Sequence, residues 1–145
     1  MNYIVGGTVI TLIGSNVLNT LITATIGVVF SSANFLHHGI EINKMMKQTH
    51  MRIESMDIPI KLRLVQKLLE TLPKKETISI LEDGLIDLMF KIKSLLDWIT
   101  YEIDTHNSKW FSSYRNLDTS SKLDDLEHLI KILDCRINLL MNSNL

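Results

Sequence analysis

The first forty residues of this chain contain no Asp, Glu, Lys or Arg, and every residue of these four types lies at or beyond Glu41. A stretch of this length without charge must keep much of its surface away from water, either in a bilayer or in a protein core. We therefore predict an all-α protein in two parts. Residues 1–40 are predicted to be an apolar helical segment, and residues 41–145 an α-helical bundle domain.

The apolar run from Ile4 to Phe30 is 27 residues long, and a membrane-spanning helix needs about 20. A secretory signal peptide fits poorly because no Lys or Arg precedes the run. Two alternatives stay open: a buried central helix of a bundle, and an interfacial helix. Strands are disfavoured because small residues recur with a period of four and no hairpin turn is evident. A helix break is predicted near residues 31–34.

Small or polar side chains recur at every fourth position of this segment. A helical turn takes about 3.6 residues, so these side chains lie on one slowly drifting face. Such a small-residue ridge lets a second helix backbone approach closely. It predicts association with a second copy or another helical protein, weakened by Gly27→Leu or Ser15→Leu but not by Val17→Leu. The alternative is that the ridge packs on the protein's own helices. Its members are Gly7, Thr11, Ser15, Asn19, Thr23, Gly27 and Ser31.

Basic residues follow the apolar segment closely. Residues 41–75 contain eight Lys or Arg against four Asp or Glu. For a spanning segment, this excess predicts that the C-terminal domain lies on the cytosolic side. The same residues are also suited to anionic lipid headgroups, and the alternative is that they only solvate helix surfaces. The predicted membrane-proximal residues are Lys44, Lys47, Arg52, Lys61 and Arg63.

Three later stretches have the 3–4 spacing of an amphipathic helix. Pro59 suits the first turn of one helix, Pro73 follows its end, and Ser120 or Ser121 is predicted to cap the last. The last two helices are predicted to form a long antiparallel hairpin. The residues predicted to form the bundle seam are Leu62, Val65, Leu69, Leu72, Ile78, Leu81, Leu85, Leu88, Ile92, Leu95, Ile99, Leu123, Leu126, Ile130, Leu133, Ile137 and Leu140.

Motifs for enzymatic chemistry are absent from the sequence. There is no phosphate-binding loop, dinucleotide fingerprint, nucleophile elbow or zinc motif. Cys135 is predicted to be a buried, inert thiol beside the seam, and His37–His38 lacks further metal ligands. A net charge of −1 and a basic stretch without interleaved aromatics argue against nucleic-acid binding. We predict no enzyme, no catalytic residue, no metal, no cofactor and no small-molecule substrate.

Three passages of the sequence resemble a group of small helical proteins encoded by large DNA viruses of protists and algae. They are YIVGGTVITLIG at the start, ISILEDGLIDLMFKI in the centre, and KWFSSYR followed by LDCRINLL near the end. The group has no established activity, so the resemblance implies only a context, a viral protein in a host cell or in the membrane or shell of a virion. In architecture alone the chain is also similar to four-helix-bundle cell-death executioners.

The sequence thus favours a non-enzymatic, membrane-associated helical interaction or scaffold protein. One alternative is a soluble bundle that uses the apolar segment as its central helix. The other is a membrane-permeabilising protein whose bundle shelters that segment until it is released.

Overall fold

The computed structural model describes residues 2–5, 8–11, 14–39, 44–108 and 119–143, and side chains within 16–32, 47–105 and 119–143. Within these ranges the chain is a helical bundle preceded by a short hairpin, which confirms the prediction of an all-α bundle for the part after the hairpin. The elements are β1 (Asn2–Val5), β2 (Thr8–Thr11), α1 (Gly14–Gly39), α2 (Lys44–Ser55), α3 (Ile58–Thr71), α4 (Glu76–Ser108) and α5 (Ser120–Asn142).

The hairpin corrects the prediction of one helix from Ile4 onward. Strands β1 and β2 pair antiparallel, with Val5 opposite Thr8. The dipeptide between them in sequence is Gly6–Gly7, a type that favours two-residue hairpin connections, and the flanking β-branched residues favour strands. The four-residue period predicts a helix here, but it does not define where that helix begins.

Helix α1 continues through the predicted break near residues 31–34 and ends at Gly39. The Ser32 hydroxyl donates to the carbonyl oxygen of Val28 at 3.0 Å, so this side chain bonds within the helix and does not cap a new one. As to the transmembrane prediction, none of the helices in the described ranges combines the length and apolarity that a membrane crossing requires.

The helices form a square bundle in which α2 and α3 together make one side. Helix α1 packs most extensively against α4 and also contacts α2 and α3. Helix α5 likewise contacts α4 on one side and the α2–α3 pair on the other. Few contacts join α3 to α4 or α1 to α5, so these pairs lie on the diagonals. Consequently, the outer surfaces of α3 and α4 face opposite sides of the molecule.

Contacts between side chains set the helix directions. Gly84 lies beside Arg136, and Lys122 lies over the ring of Trp98, so α4 and α5 run antiparallel. On the other side of α5, the hydroxyls of Thr49 and Thr119 bond at 2.9 Å, and Lys61 pairs further along with Asp134. The α2–α3 pair therefore runs parallel to α5.

One continuous core joins all five helices. All the predicted seam residues are buried except Leu69, Leu81 and Leu95, which are partly buried against the core. Helix α4 contributes a second buried row that was not predicted, consisting of Ile86, Met89, Leu96 and Ile103. The second row exists because two helices, α1 and α5, cover α4 from different directions. A single row of apolar residues with a seven-residue period predicts only one partner helix.

Local signals end the shorter helices. Asp57 adopts a left-handed backbone conformation between α2 and α3, and Pro59 lies in the first turn of α3. Helix α3 ends at Thr71, two residues before Pro73. The N-cap of α5 is Thr119, not Ser120 or Ser121, and its side-chain hydroxyl bonds to Thr49 instead of capping the helix.

Candidate functional site

Helix α1 exposes a face without a single charged side chain. Its members lie within about 140° of the helix circumference, because successive residues are about 100° apart. All of them are exposed: Asn16, Asn19, Thr20, Thr23, Ala24, Gly27, Phe30 and Ser31. We call this set the uncharged face of α1. Each of α2, α3, α4 and α5 exposes Lys, Arg, Asp or Glu in its described part.

The opposite side of α1 fills the protein's own core. Val17, Leu18, Leu21, Ile22 and Val29 are all buried there. Two hydroxyl residues are buried beside them, and both are satisfied by the helix backbone or a neighbour. Thr25 donates to the carbonyl oxygen of Leu21 at 2.7 Å, and Ser32 bonds with Thr100 of α4 at 2.5 Å. These five apolar side chains of the run that suggested a bilayer are therefore covered by protein.

The centre of the uncharged face is open. A Cβ atom added to Gly27 would meet nothing within 4 Å. A cleft of about 500 Å³ beside it is lined by Ala24, Gly27 and Ser31 of α1 and by Asp97 and Tyr101 of α4 among others. Towards the other edge, the ring of Phe30 is 53% exposed and forms one wall of a groove shared with α2 and α3. A neighbouring backbone can therefore approach α1 closely at Gly27, with an apolar anchor nearby.

The small-residue ridge is divided by the fold. Gly7 lies outside the described residues, Thr11 is in β2, and the side chain of Ser15 is not described. The four remaining members, Asn19, Thr23, Gly27 and Ser31, lie on the uncharged face and not against the protein's own helices. Val17, where a change to Leu was predicted to leave association intact, is a core residue.

Two of the predicted membrane-proximal bases instead join the α2–α3 pair to α5. Arg52 donates to Asp124 at 2.7 Å and to Glu127 at 3.0 Å. Partial burial lowers the pKa of Arg52, but its hydrogen bonds to the two carboxylates outweigh this and raise the pKa above its ordinary value. Lys61 pairs with Asp134 at 3.1 Å. A sequence alone does not show such pairs, since the partners are more than seventy residues apart.

The other predicted basic residues are not used in this way. Lys47 and Arg63 are exposed, and Arg63 lines the groove beside Phe30. The side chain of Lys44 is not among those described. Residues 41–75 therefore offer fewer unpaired basic side chains to a membrane surface than the number of Lys and Arg residues predicts.

Cys135 is exposed, which corrects the prediction of a buried thiol. Its neighbours Leu133 and Ile137 are buried, so Cys135 lies on the outward side of the same helix. The side chains of His37 and His38 are outside the described set. Within the described ranges, no group of three or more His, Cys, Asp or Glu is placed to hold a metal ion.

Three aromatic residues of α4 are exposed: Phe90, Trp98 and Tyr101. The Lys122 ammonium lies 5.5 Å from the ring centroid of Trp98. Their exposure is consistent with the seam pattern, because none of the three occupies a seam position.

Comparisons with protein-family models, with curated proteins and with solved structures found no match to this chain.

Proposed function

We propose that this protein is a non-enzymatic helical interaction protein, and that it associates with a second copy through the uncharged face of α1. The observation that carries the proposal is the combination of exposure and missing charge over residues 16–31. Charged residues make up 21% of the chain and none of this face. Water solvates protein surfaces best through charged side chains, so an exposed helix face without them suits contact with protein.

The chemistry of the face favours another helix over lipid. Asn16, Asn19, Thr20 and Thr23 each present groups that need hydrogen-bond partners, and hydrocarbon supplies none. A helix from another copy supplies both donors and acceptors. Opposite its own copy, the Asn19 amide has a carbonyl oxygen and an NH₂ group available to it.

A second copy fits the position of the small residues. Thr23 lies near the middle of the uncharged face, and Gly27 lies one turn further along the same line. Two copies related by a two-fold axis would cross near these positions, because a symmetric contact repeats the same patch on both sides. Small side chains at the crossing permit an interaxial distance below the usual 8–10 Å.

Sedimentation velocity on the full chain tests this proposal. We expect Gly27→Leu to weaken self-association by about tenfold or more, since a central contact residue is worth over 1 kcal/mol. A Cβ atom at this exposed position meets nothing within 4 Å in the monomer, so we expect folding to be retained. Asn138→Leu, which adds the same side chain to an exposed position on α5, is the matched control. Equal association constants for the wild type and Gly27→Leu would refute the proposal.

We propose separately that the protein associates with membranes, because its first forty residues carry no charge. A viral setting with the C-terminal domain in the cytosol is a further proposal. Flotation with vesicles of phosphatidylcholine and phosphatidylserine tests the membrane association. Binding that survives Gly27→Leu would place the membrane contact elsewhere on the chain. Dye leakage from the same vesicles at neutral and acidic pH would favour permeabilisation, and intact vesicles would argue against it.

A further inference from the structure

Two exposed apolar surfaces lie on opposite sides of the bundle, on the outer surfaces of α3 and α4. On α3, Ile60 is 62% and Leu64 41% exposed, one turn apart on the same face. On α4, Phe90, Trp98 and Tyr101 are exposed, and Tyr101 reaches 65%. We call them the α3 outer face and the α4 outer face. Large apolar and aromatic side chains exposed in a row are typical of protein contacts.

The charges around the two faces have opposite signs. Helix α3 contains three bases and one acid over Ile58–Thr71, and two of the bases, Arg63 and Lys67, are exposed beside Ile60 and Leu64. Helix α4 contains seven acids and two bases over Glu76–Ser108. By these counts the α3 outer face is basic and the α4 outer face acidic. Charges of the other sign are also present: Glu54 and Asp57 line the groove beside Ile60, and Lys122 lies over Trp98.

The protein's own ion pairs leave this complementarity largely intact. Lys91 pairs with Asp87 and Lys93 with Asp97, which uses both bases of α4. The remaining acids of α4 include the exposed Asp83 and Asp104. On α3, Lys67 is only 3.9 Å from Glu70, both well exposed, and such pairs are weak in water.

The apolar row of the α3 outer face is shorter than that of the α4 outer face. Ile60 to Leu64 spans four residue steps, about 6 Å of helix, and Phe90 to Tyr101 spans eleven steps, about 16 Å. The two faces cannot meet within one molecule, because α3 and α4 lie across the bundle diagonal with their outer surfaces turned away from each other.

We propose that the α3 outer face of one copy docks on the α4 outer face of a second copy, in a head-to-tail contact. The apolar row Ile60–Leu64 would pack among Phe90, Trp98 and Tyr101, with Arg63 and Lys67 directed towards the acids of α4. A contact between two different faces leaves one face of each kind free at the ends of every oligomer. Assembly by this contact therefore continues into chains or closes into rings, unlike the symmetric α1 contact, on which it does not depend.

Blocking one face at a time tests this contact. Ile60→Asp places an acid on the basic face, and Phe90→Lys places a base on the acidic face. Both changes are made in full-length Gly27→Leu protein, in which the α1 contact is weakened, and each variant is compared with that background, so that the difference reports head-to-tail association. Leu139→Asp, at a 53% exposed apolar position on α5, is the control for adding charge. Circular dichroism shows whether each variant is folded.

In sedimentation velocity at low salt, we expect Ile60→Asp and Phe90→Lys each to weaken association by about tenfold or more. An equimolar mixture of the two should form 1:1 dimers through the unaltered pair of faces, because Phe90→Lys keeps an intact α3 face and Ile60→Asp an intact α4 face. Raising the salt concentration should weaken the dimer.

Three results would overturn the proposal: a mixture that stays monomeric, single variants that associate like Leu139→Asp, or Gly27→Leu protein that is itself monomeric up to about 1 mM. None of these would affect the α1 proposal, which is measured by comparing Gly27→Leu with the wild type.

Discussion

Two helical glycines allow the packing around α1 and α4 to be measured with one substitution each. Gly27 lies within α1 and Gly84 within α4. Replacing Gly by Ala inside a helix gains about 0.8–1 kcal/mol, provided that the new methyl group fits. An added Cβ at Gly27 meets nothing within 4 Å, whereas at Gly84 it would lie 2.5 Å from Nη1 of Arg136. The same substitution should therefore have different effects at the two sites.

We expect Gly27→Ala to raise the free energy of unfolding of the monomer by about 0.8–1 kcal/mol. For a chain of this size the corresponding rise in Tm is about 3 °C. Gly84→Ala should gain less, since the Arg136 guanidinium must move away first. That group is the end of a flexible side chain, so only part of the gain in stability should be lost. In an Arg136→Ala background, Gly84→Ala should raise the free energy of unfolding by the full value of about 0.8–1 kcal/mol expected for Gly to Ala in a helix.

Urea unfolding followed by circular dichroism measures these values, at concentrations where sedimentation shows a monomer. The slope against urea should be unchanged, so that a shift in midpoint reports stability. A fall in stability for Gly27→Ala would mean that its position on α1 is covered by protein. Equal gains at Gly84 with and without Arg136 would refute the contact between that glycine and the guanidinium.

Three further predictions follow from the core and from one carboxylate. Ser32→Ala should lower the free energy of unfolding by about 1 kcal/mol in urea, because Thr100 loses its 2.5 Å hydroxyl partner, and Thr100→Val should restore part of the loss. Burial, opposed by Lys74 and assisted by Asp83, raises the pKa of Glu82, so its ionisation opposes folding. Glu82→Gln should therefore raise Tm at pH 7. The difference in Tm between this variant and the wild type should disappear as the pH falls below the ordinary carboxyl range. A difference that grows as the pH falls would contradict the raised pKa of Glu82. Deleting residues 1–36 should abolish the cooperative unfolding transition, because Leu18, Ile22 and Val29 leave the core; a folded fragment 37–145 would show that this part of α1 is dispensable.

The later helices could be predicted from the sequence because each has a one-sided apolar pattern. The predicted residues of α5, from Leu123 to Leu140, are all buried. In α4 the same reasoning found one buried row and missed Ile86, Met89, Leu96 and Ile103, since the sequence does not show how many neighbours a helix has.

The candidate site was harder to predict, because it depends on which side of α1 the bundle covers. Asn19, Thr23, Gly27 and Ser31 share a ridge in the sequence, but their exposure follows from packing against α4 and α3. The roles of Arg52 and Lys61 also depend on distant partners in α5. At the N-terminus the helix prediction was wrong for Ile4 and Val5 and for Thr8–Thr11, which form strands, and the Gly6–Gly7 sequence between them favours a hairpin.

The most direct test of the α1 contact is disulfide formation between two copies at position 23. Thr23→Cys is placed in a Cys135→Ser background, so that the chain has one thiol. A disulfide needs two Cα atoms within about 7 Å, a distance that position 23 reaches with its own copy only when it lies close to the two-fold axis of the contact. We expect rapid formation of a covalent dimer under mild oxidation, and its loss when Gly27→Leu is added. Lys131→Cys, on the exposed surface of α5, should remain monomeric under the same conditions. Equal cross-linking at positions 23 and 131, or cross-linking at 23 that Gly27→Leu does not reduce, would contradict association through α1.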